Sequence, residues 1–140
     1  MSKEVSLEKK LTKKDIARVW RRWVFFAQSN YSYERLQGPG FLYAMSPVIR
    51  KLYKDDKEEY IAACKRHMEF FNTEPYLGVA IHGMVVAMEE QRANGIPITD
   101  EAINGIKTGL MGPIAGVGYY KTGNIKSNIG IICNKFRIAR

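Results

Sequence analysis

The sequence predicts an all-α chain of amphipathic and short apolar helices, and three observations carry that reading. Apolar residues recur at helical spacing in successive segments, most segments open on a capping residue or a proline, and no alternation of useful length marks a strand before residue 119. Thr12 with Asp15 three residues later forms a capping box, after which Ile16, Val19, Trp20, Trp23, Val24 and Ala27 share one face. Arg18, Arg21 and Arg22 take the other face. Such a helix either lies in a membrane interface or packs Trp20 and Trp23 into a soluble core. Gly38-Pro39-Gly40 introduces an uncharged run, Phe41 to Ile49, which Pro47 is expected to kink before the basic end at Arg50, Lys51 and Lys54. Asp55 is placed to cap a third helix, with Glu58 at the third position and Tyr60, Ile61, Cys64, Met68 and Phe71 as its buried stripe. Asn72 to Pro75 should end it. Pro75 then starts a fourth helix that stops at Asn94-Gly95. Thr99, ahead of Asp100 and Glu101, caps a fifth through Ile103, Ile106 and Leu110.

That fifth helix runs into a Gly-rich, re-entrant-like segment. Gly105 with Gly109, and Gly112 with Gly116, have the small-xxx-small spacing that lets helix backbones approach closely, and a flexible loop is the alternative. Pro75 to Met88 is fourteen residues without a formal charge, whereas a bilayer crossing takes about 20. No ordinary transmembrane helix is therefore expected, and the run belongs to a buried core helix or a re-entrant one.

The 140 residues suit one domain, and the formal charge of +8 is unevenly spread. Residues 1–40 carry nine Lys/Arg against four Asp/Glu, residues 41–118 eight against ten, and residues 119–140 five against none. Basic flanks around a near-neutral body point to an anionic lipid surface. A soluble basic helical protein binding nucleic acid or another polyanion is the alternative. Cys64 and Cys133 show neither CxxC nor Cys/His ligand spacing, so no disulfide framework and no metal site is indicated. Met1 to Lys14 lacks the apolar core of a secretory signal. His67 and His82 fall on different helices and read as structural. Lys121-Thr122 after the glycines lacks the adjacency of a phosphate-binding loop. No catalytic arrangement and no cofactor is expected.

Three polar clusters remain: Tyr33-Glu34-Arg35-Leu36-Gln37, Glu69 to Pro75, and Glu89 to Gly95. Carboxylates, amides and hydroxyls beside aromatic rings suit a hydroxyl-rich ligand, and they also suit solvated helix ends. In order and spacing, YERLQ, KLYKDD, RHMEFFNTEPYLG, EEQRANG and DEAINGIKTGLMGPIAGVG closely resemble the IID component of the mannose/fructose/sorbose family of the phosphoenolpyruvate-dependent sugar phosphotransferase system, over about Leu11 to Gly118. The resemblance implies a non-catalytic subunit in the cytoplasmic membrane of a bacterium. Such a subunit pairs with a IIC subunit to take up a hexose (mannose, fructose, sorbose or a related sugar) while IIA and IIB subunits phosphorylate it, and carries no phosphorylated histidine of its own. It implies Glu34 and Gln37 as the sugar-facing groups, with Arg35 paired structurally and Asn72, Glu90 and Gln91 as a second tier. Tyr31-Ser32 stands where the family often reads Trp-Asn, which leaves the choice of sugar open.

The resemblance stops at Gly118. Residues 119–140 match nothing in the family, and 13 of these 22 residues are Ile, Asn, Lys or Tyr, the composition of AT-rich DNA read out of frame. The expectation is a family-like part, 1–118, followed by an unrelated basic tail, 119–140, from a frameshifted or truncated gene, with transport impaired. A divergent tail holding a short strand from Asn128 to Cys133 is the alternative.

Overall fold

The computed structural model describes the backbone of residues 11–138 and the side chains of residues 11–118 and 120. The lysine-rich residues 1–10 and the Cys133 side chain lie outside these. Five helices follow one another: α1 (Lys13–Phe26), α2 (Gly38–Leu52), α3 (Lys57–His67), α4 (Pro75–Ala93) and α5 (Asp100–Ile138). Among the described residues only isolated β-bridges occur outside them, so the chain is all-α.

The capping box of α1 is present: the Asp15 carboxylate accepts from the Thr12 backbone N–H at 2.9 Å, and Asp15 N–H donates back to Thr12 Oγ1 at 3.4 Å. Lys51 on α2 donates to the same carboxylate at 2.6 Å and, as the main cause, holds its pKa down at about 2. Only one of the two tryptophans enters the core. Val19, Trp23 and Ala27 are buried, while Ile16 and Trp20 stay 47% and 49% exposed.

The start of α2 packs backbone on backbone. A Cβ on Gly38 would stand 2.5 Å from the Glu69 carbonyl oxygen, and one on Gly40 would stand 2.9 Å from that of Ala27. α2 runs through Pro47 instead of being interrupted by it. Proline has no N–H for the carbonyl four residues back, and that carbonyl, Tyr43 O, is satisfied by Ser46 Oγ at 2.9 Å and Arg22 Nη1 at 3.3 Å.

The cap of α3 is Asp56, not Asp55; its carboxylate accepts from Glu59 N–H at 2.9 Å. The buried face of the helix is Ala63, Arg66 and His67. Ile61 is left exposed, and Tyr60, Cys64 and Met68 are half-buried. Phe71 is buried, beyond the end of the helix. α4 is capped by Glu74, which accepts from Leu77 N–H at 2.8 Å, and is stopped by Gly95 at φ 91° in the left-handed region. Gly78, Ile81, His82, Val85, Val86 and Glu89 face inward from it. Its uncharged run is thus a core helix on one side, with Tyr76, Leu77 and Met84 exposed on the other.

α5 starts where Ala102 N–H donates to Thr99 Oγ1 at 3.2 Å. It continues through the Gly-rich segment, so the loop alternative does not hold. A Cβ on Gly105, Gly109, Gly112 or Gly116 would meet nothing within 4 Å. Residues 128–133 are helical too, not a strand; a single strand there would find no sheet edge among the described residues to pair with. No helix of the described residues is long and apolar enough to cross a membrane.

Candidate functional site

Two of the three polar clusters meet at the point from which α2 and α4 both start. Ser32 and Leu36 exchange backbone hydrogen bonds of 3.1 and 2.9 Å, which closes a tight turn with Tyr33, Glu34 and Arg35 at its tip. Leu36 is held at φ 47°, a left-handed conformation unusual for a bulky side chain. What holds it is pairing on both sides with the second cluster. Gln37 N–H donates to Phe71 O at 2.8 Å, and Phe71 N–H donates to Arg35 O at 3.3 Å.

The Gln37 side chain extends this pairing as an extra peptide group would. Its Oε1 accepts from Thr73 N–H at 2.9 Å, its Nε2 donates to Thr73 O at 3.0 Å, and the residue is 1% exposed. Next to it, Tyr31 O–H donates to Asn72 Oδ1 at 3.2 Å. α5 closes a third side, where Thr73 Oγ1 donates to Met111 O at 3.1 Å. From below, the indole of Trp23 donates to Pro75 O at 2.6 Å. Glu34 is exposed, and among the described residues its carboxylate has no hydrogen-bond partner.

An open cleft of about 760 Å³ lies beside this junction, lined by Arg35, Leu42, Tyr60, Cys64, Glu69 and Phe70 among others. A guanidinium and a carboxylate next to two aromatic rings offer donors, acceptors and flat apolar faces, a set that suits a ligand rich in hydroxyls. Of the five residues the family resemblance implied, Glu34, Gln37 and Asn72 belong to the junction, and none of the three lines the cleft. Glu90 and Gln91 lie elsewhere. They stand at the other end of α4, roughly 22 Å from Pro75 at 1.5 Å per residue. There Glu90 Oε1 accepts from Leu11 N–H at 2.9 Å and Gln91 is exposed.

A second polar group centres on the buried side chains of Glu89, Arg66 and His67. Glu89 accepts from Tyr53 O–H at 2.5 Å, from Arg66 Nε and Nη2 at 2.7 and 3.0 Å, and from His67 Nε2 at 2.8 Å. Arg66 also reaches Glu59 at 2.8 Å and Asp100 at 3.1 Å. Burial works against charge on Glu89, yet the bonds from His67, Arg66 and Tyr53 outweigh it and hold its carboxyl well below the usual range. Burial and the neighbouring carboxylate push the Tyr53 phenol far up. Burial keeps His67 neutral despite Glu89, so its Nε2–H donates and Nδ1 is a buried acceptor without a partner. His82 is the mirror case: Nδ1 donates to Gly78 O at 3.2 Å, Nε2 has no partner, and burial drives its pKa down to about 3. Its ring is stacked on Phe41 and tilted against Trp23, with centroids 4.0 and 4.2 Å away. Lys107 is buried, is pushed down to about 8 by that burial, and donates to Arg66 O at 2.8 Å.

Tyr53, Arg66, Thr73 and Lys107 were not singled out by the sequence. One signal was present: Glu89 lies seven residues after His82 and four after Val85, which puts it on the inward stripe of α4.

The family model for the mannose/fructose/sorbose family IID component of the phosphotransferase system matches residues 10–120. The chain is 51% identical over 115 residues to the mannose-specific EIID component of Escherichia coli K12, covering 82% of this chain and 40% of that protein. It is 48% identical over 111 residues to the sorbose-specific EIID component of Klebsiella pneumoniae (79% and 40% covered). It is equally similar, at 48% over 111 residues, to the fructose permease IID component of Bacillus subtilis (79% and 40%). Among solved structures, the mannose transporter ManYZ in complex with microcin E492 contains a chain that matches with a TM-score of 0.76 at 52% identity, covering 80% of this chain and 40% of the other. The chain thus spans about 40% of the length of the relatives it matches. None of these similarities supports a nucleic-acid-binding protein.

Proposed function

This chain belongs to the mannose/fructose/sorbose family of phosphotransferase-system IID components, and from that premise we propose that it serves a bacterial hexose transporter as part of a membrane subunit. In this reading it pairs with a IIC subunit in the cytoplasmic membrane, and IIA and IIB subunits phosphorylate the incoming sugar. The chain's own residues bind and orient. The observation that supports the proposal is the junction of residues 31–37 with 71–73, which carries the exposed, unpartnered Glu34 carboxylate on the same turn as Arg35, a residue that lines an open cleft.

Glu34 and Asn72 are the groups this geometry offers to sugar hydroxyls. Gln37 acts beneath them, because both ends of its amide are taken by Thr73. Glu90 and Gln91 form a separate polar station at the far end of α4. The test is Glu34→Gln at the matching position of a full-length relative. Losing a charged hydrogen bond to a hydroxyl costs about 1.5–3 kcal/mol, or roughly tenfold to a hundredfold in affinity. Uptake of labelled hexose is expected to fall by at least that lower factor, while co-purification with IIC is unchanged. Unchanged uptake would place the sugar elsewhere.

A further inference from the structure

We infer that the groove between α1 and α4 seats one acyl chain of an anionic phospholipid, with the headgroup phosphate at the lysines that open α1. The inference deepens the membrane part of the proposed function, and it stands on a different part of the molecule from the sugar junction. Ile16, Val19, Trp20, Val79, Gly83 and Val86 wall a groove of about 360 Å³. The core takes Val19 and Trp23 from α1 and leaves Ile16 and Trp20 half exposed along this groove. The α4 wall belongs to the uncharged run from Pro75 to Met88, so no charge interrupts it. Gly83 keeps its middle open, since a Cβ there would meet nothing within 4 Å.

Charge decides what kind of molecule fits. Among the described residues lining the groove, Lys13 is the charged one, and Lys14, Arg18 and Arg21 are exposed on the same helix. The acid of α1, Asp15, is buried and held by Lys51. Lys13 is also the first residue of α1, where the helix dipole adds to its positive charge. The complement of a cationic mouth on an apolar slot is an anion joined to an apolar chain. A second copy of this chain, with its formal charge of +8, would bring like charge against the mouth. A nucleic acid has no chain for the slot.

The test uses the whole 140-residue chain and dioctanoyl-phosphatidylglycerol below its micelle concentration, read by tryptophan emission with Trp20→Phe as the reporter control. A saturable blue shift is expected, lost in the Trp20→Phe variant. Dioctanoyl-phosphatidylcholine should bind at least about tenfold more weakly, and glycerol 3-phosphate should give no shift. Gly83→Leu has room to fold, fills the groove, and should weaken phosphatidylglycerol binding by about tenfold or more without lowering the melting temperature. Lys13→Gln with Lys14→Gln should remove the preference for phosphatidylglycerol over phosphatidylcholine. Equal affinity for the two lipids, the same shift given by glycerol 3-phosphate alone, full binding by Gly83→Leu, or no shift at all would each overturn the inference. The titration needs neither sugar nor IIC, so its failure is distinct from failure of the uptake experiment.

Discussion

Replacing Gln37 by Leu separates the two roles that a polar residue at the junction of residues 31–37 with 71–73 can have. Leucine keeps much of the side-chain volume but offers nothing to Thr73, whose buried N–H and C=O both depend on the Gln37 amide. Each buried backbone group left unpaired costs about 1–3 kcal/mol, so the two together cost about 4 kcal/mol. At a sensitivity of about 3 °C per kcal/mol for a chain of this size, the melting temperature should drop by roughly 12 °C. Thermal and urea unfolding followed by circular dichroism would measure it, with Glu34→Gln as the companion variant expected to melt like the parent. A Gln37→Leu chain within about 1 kcal/mol of the parent would refute the reasoning, because the pairing with Thr73 would then not be what holds the junction.

Three further outcomes follow from the described geometry. Glu89→Gln takes from Arg66 its one fully buried carboxylate and leaves only the partly exposed Glu59 and Asp100, and should cost about 3 kcal/mol in urea unfolding; adding Arg66→Met should recover part of that loss, since the under-compensated buried charge goes with it. His82 is neutral in the fold, with its pKa down at about 3, so below the ordinary imidazole range the unfolded chain binds a proton that the folded chain refuses. Its contribution is present above that range and lost as pH falls. His82→Phe should therefore gain about 2 kcal/mol on the parent at pH 5 relative to pH 7.5, read as the difference in unfolding free energy at the two pH values. Two glycines should respond in opposite directions in thermal melts. Gly78→Ala puts a Cβ 2.5 Å from Thr73 Cγ2 and should cost about 1–3 kcal/mol. Gly109→Ala meets nothing within 4 Å and should gain about 0.5–1 kcal/mol from helix propensity.

The sequence was most legible where helix ends are written in local chemistry. Thr12 with Asp15, Pro75, Gly95 and Thr99 each act on backbone groups within a few residues, and each stands where the pattern put it. α3 shows how little separates a right register from a wrong one. Asp55 and Asp56 are both acids followed three residues later by an acid, and choosing the first starts the helix one residue early. Apolarity could not correct the choice, because what α3 buries is Arg66 and His67, drawn inward by Glu89 more than twenty residues away. Pro47 misled for a related reason: the partners that satisfy Tyr43 O include Arg22, from another helix. At the junction, the family resemblance put Glu34 and Gln37 together as sugar-facing groups, with Asn72 in a second tier. Only the fold sorts the exposed carboxylate from the amide sealed beneath it.

The paired amide of Gln37 also has a mechanical meaning. α2 begins one residue after Gln37 and α4 two residues after Thr73, so the roots of both helices are riveted at a single point. Torque applied to either helix passes to the other through that rivet and is not dissipated between them. α5 is fastened to the same point, since Thr73 Oγ1 donates to Met111 O at 3.1 Å, so a load on any one of the three helices is shared by the other two through residue 73.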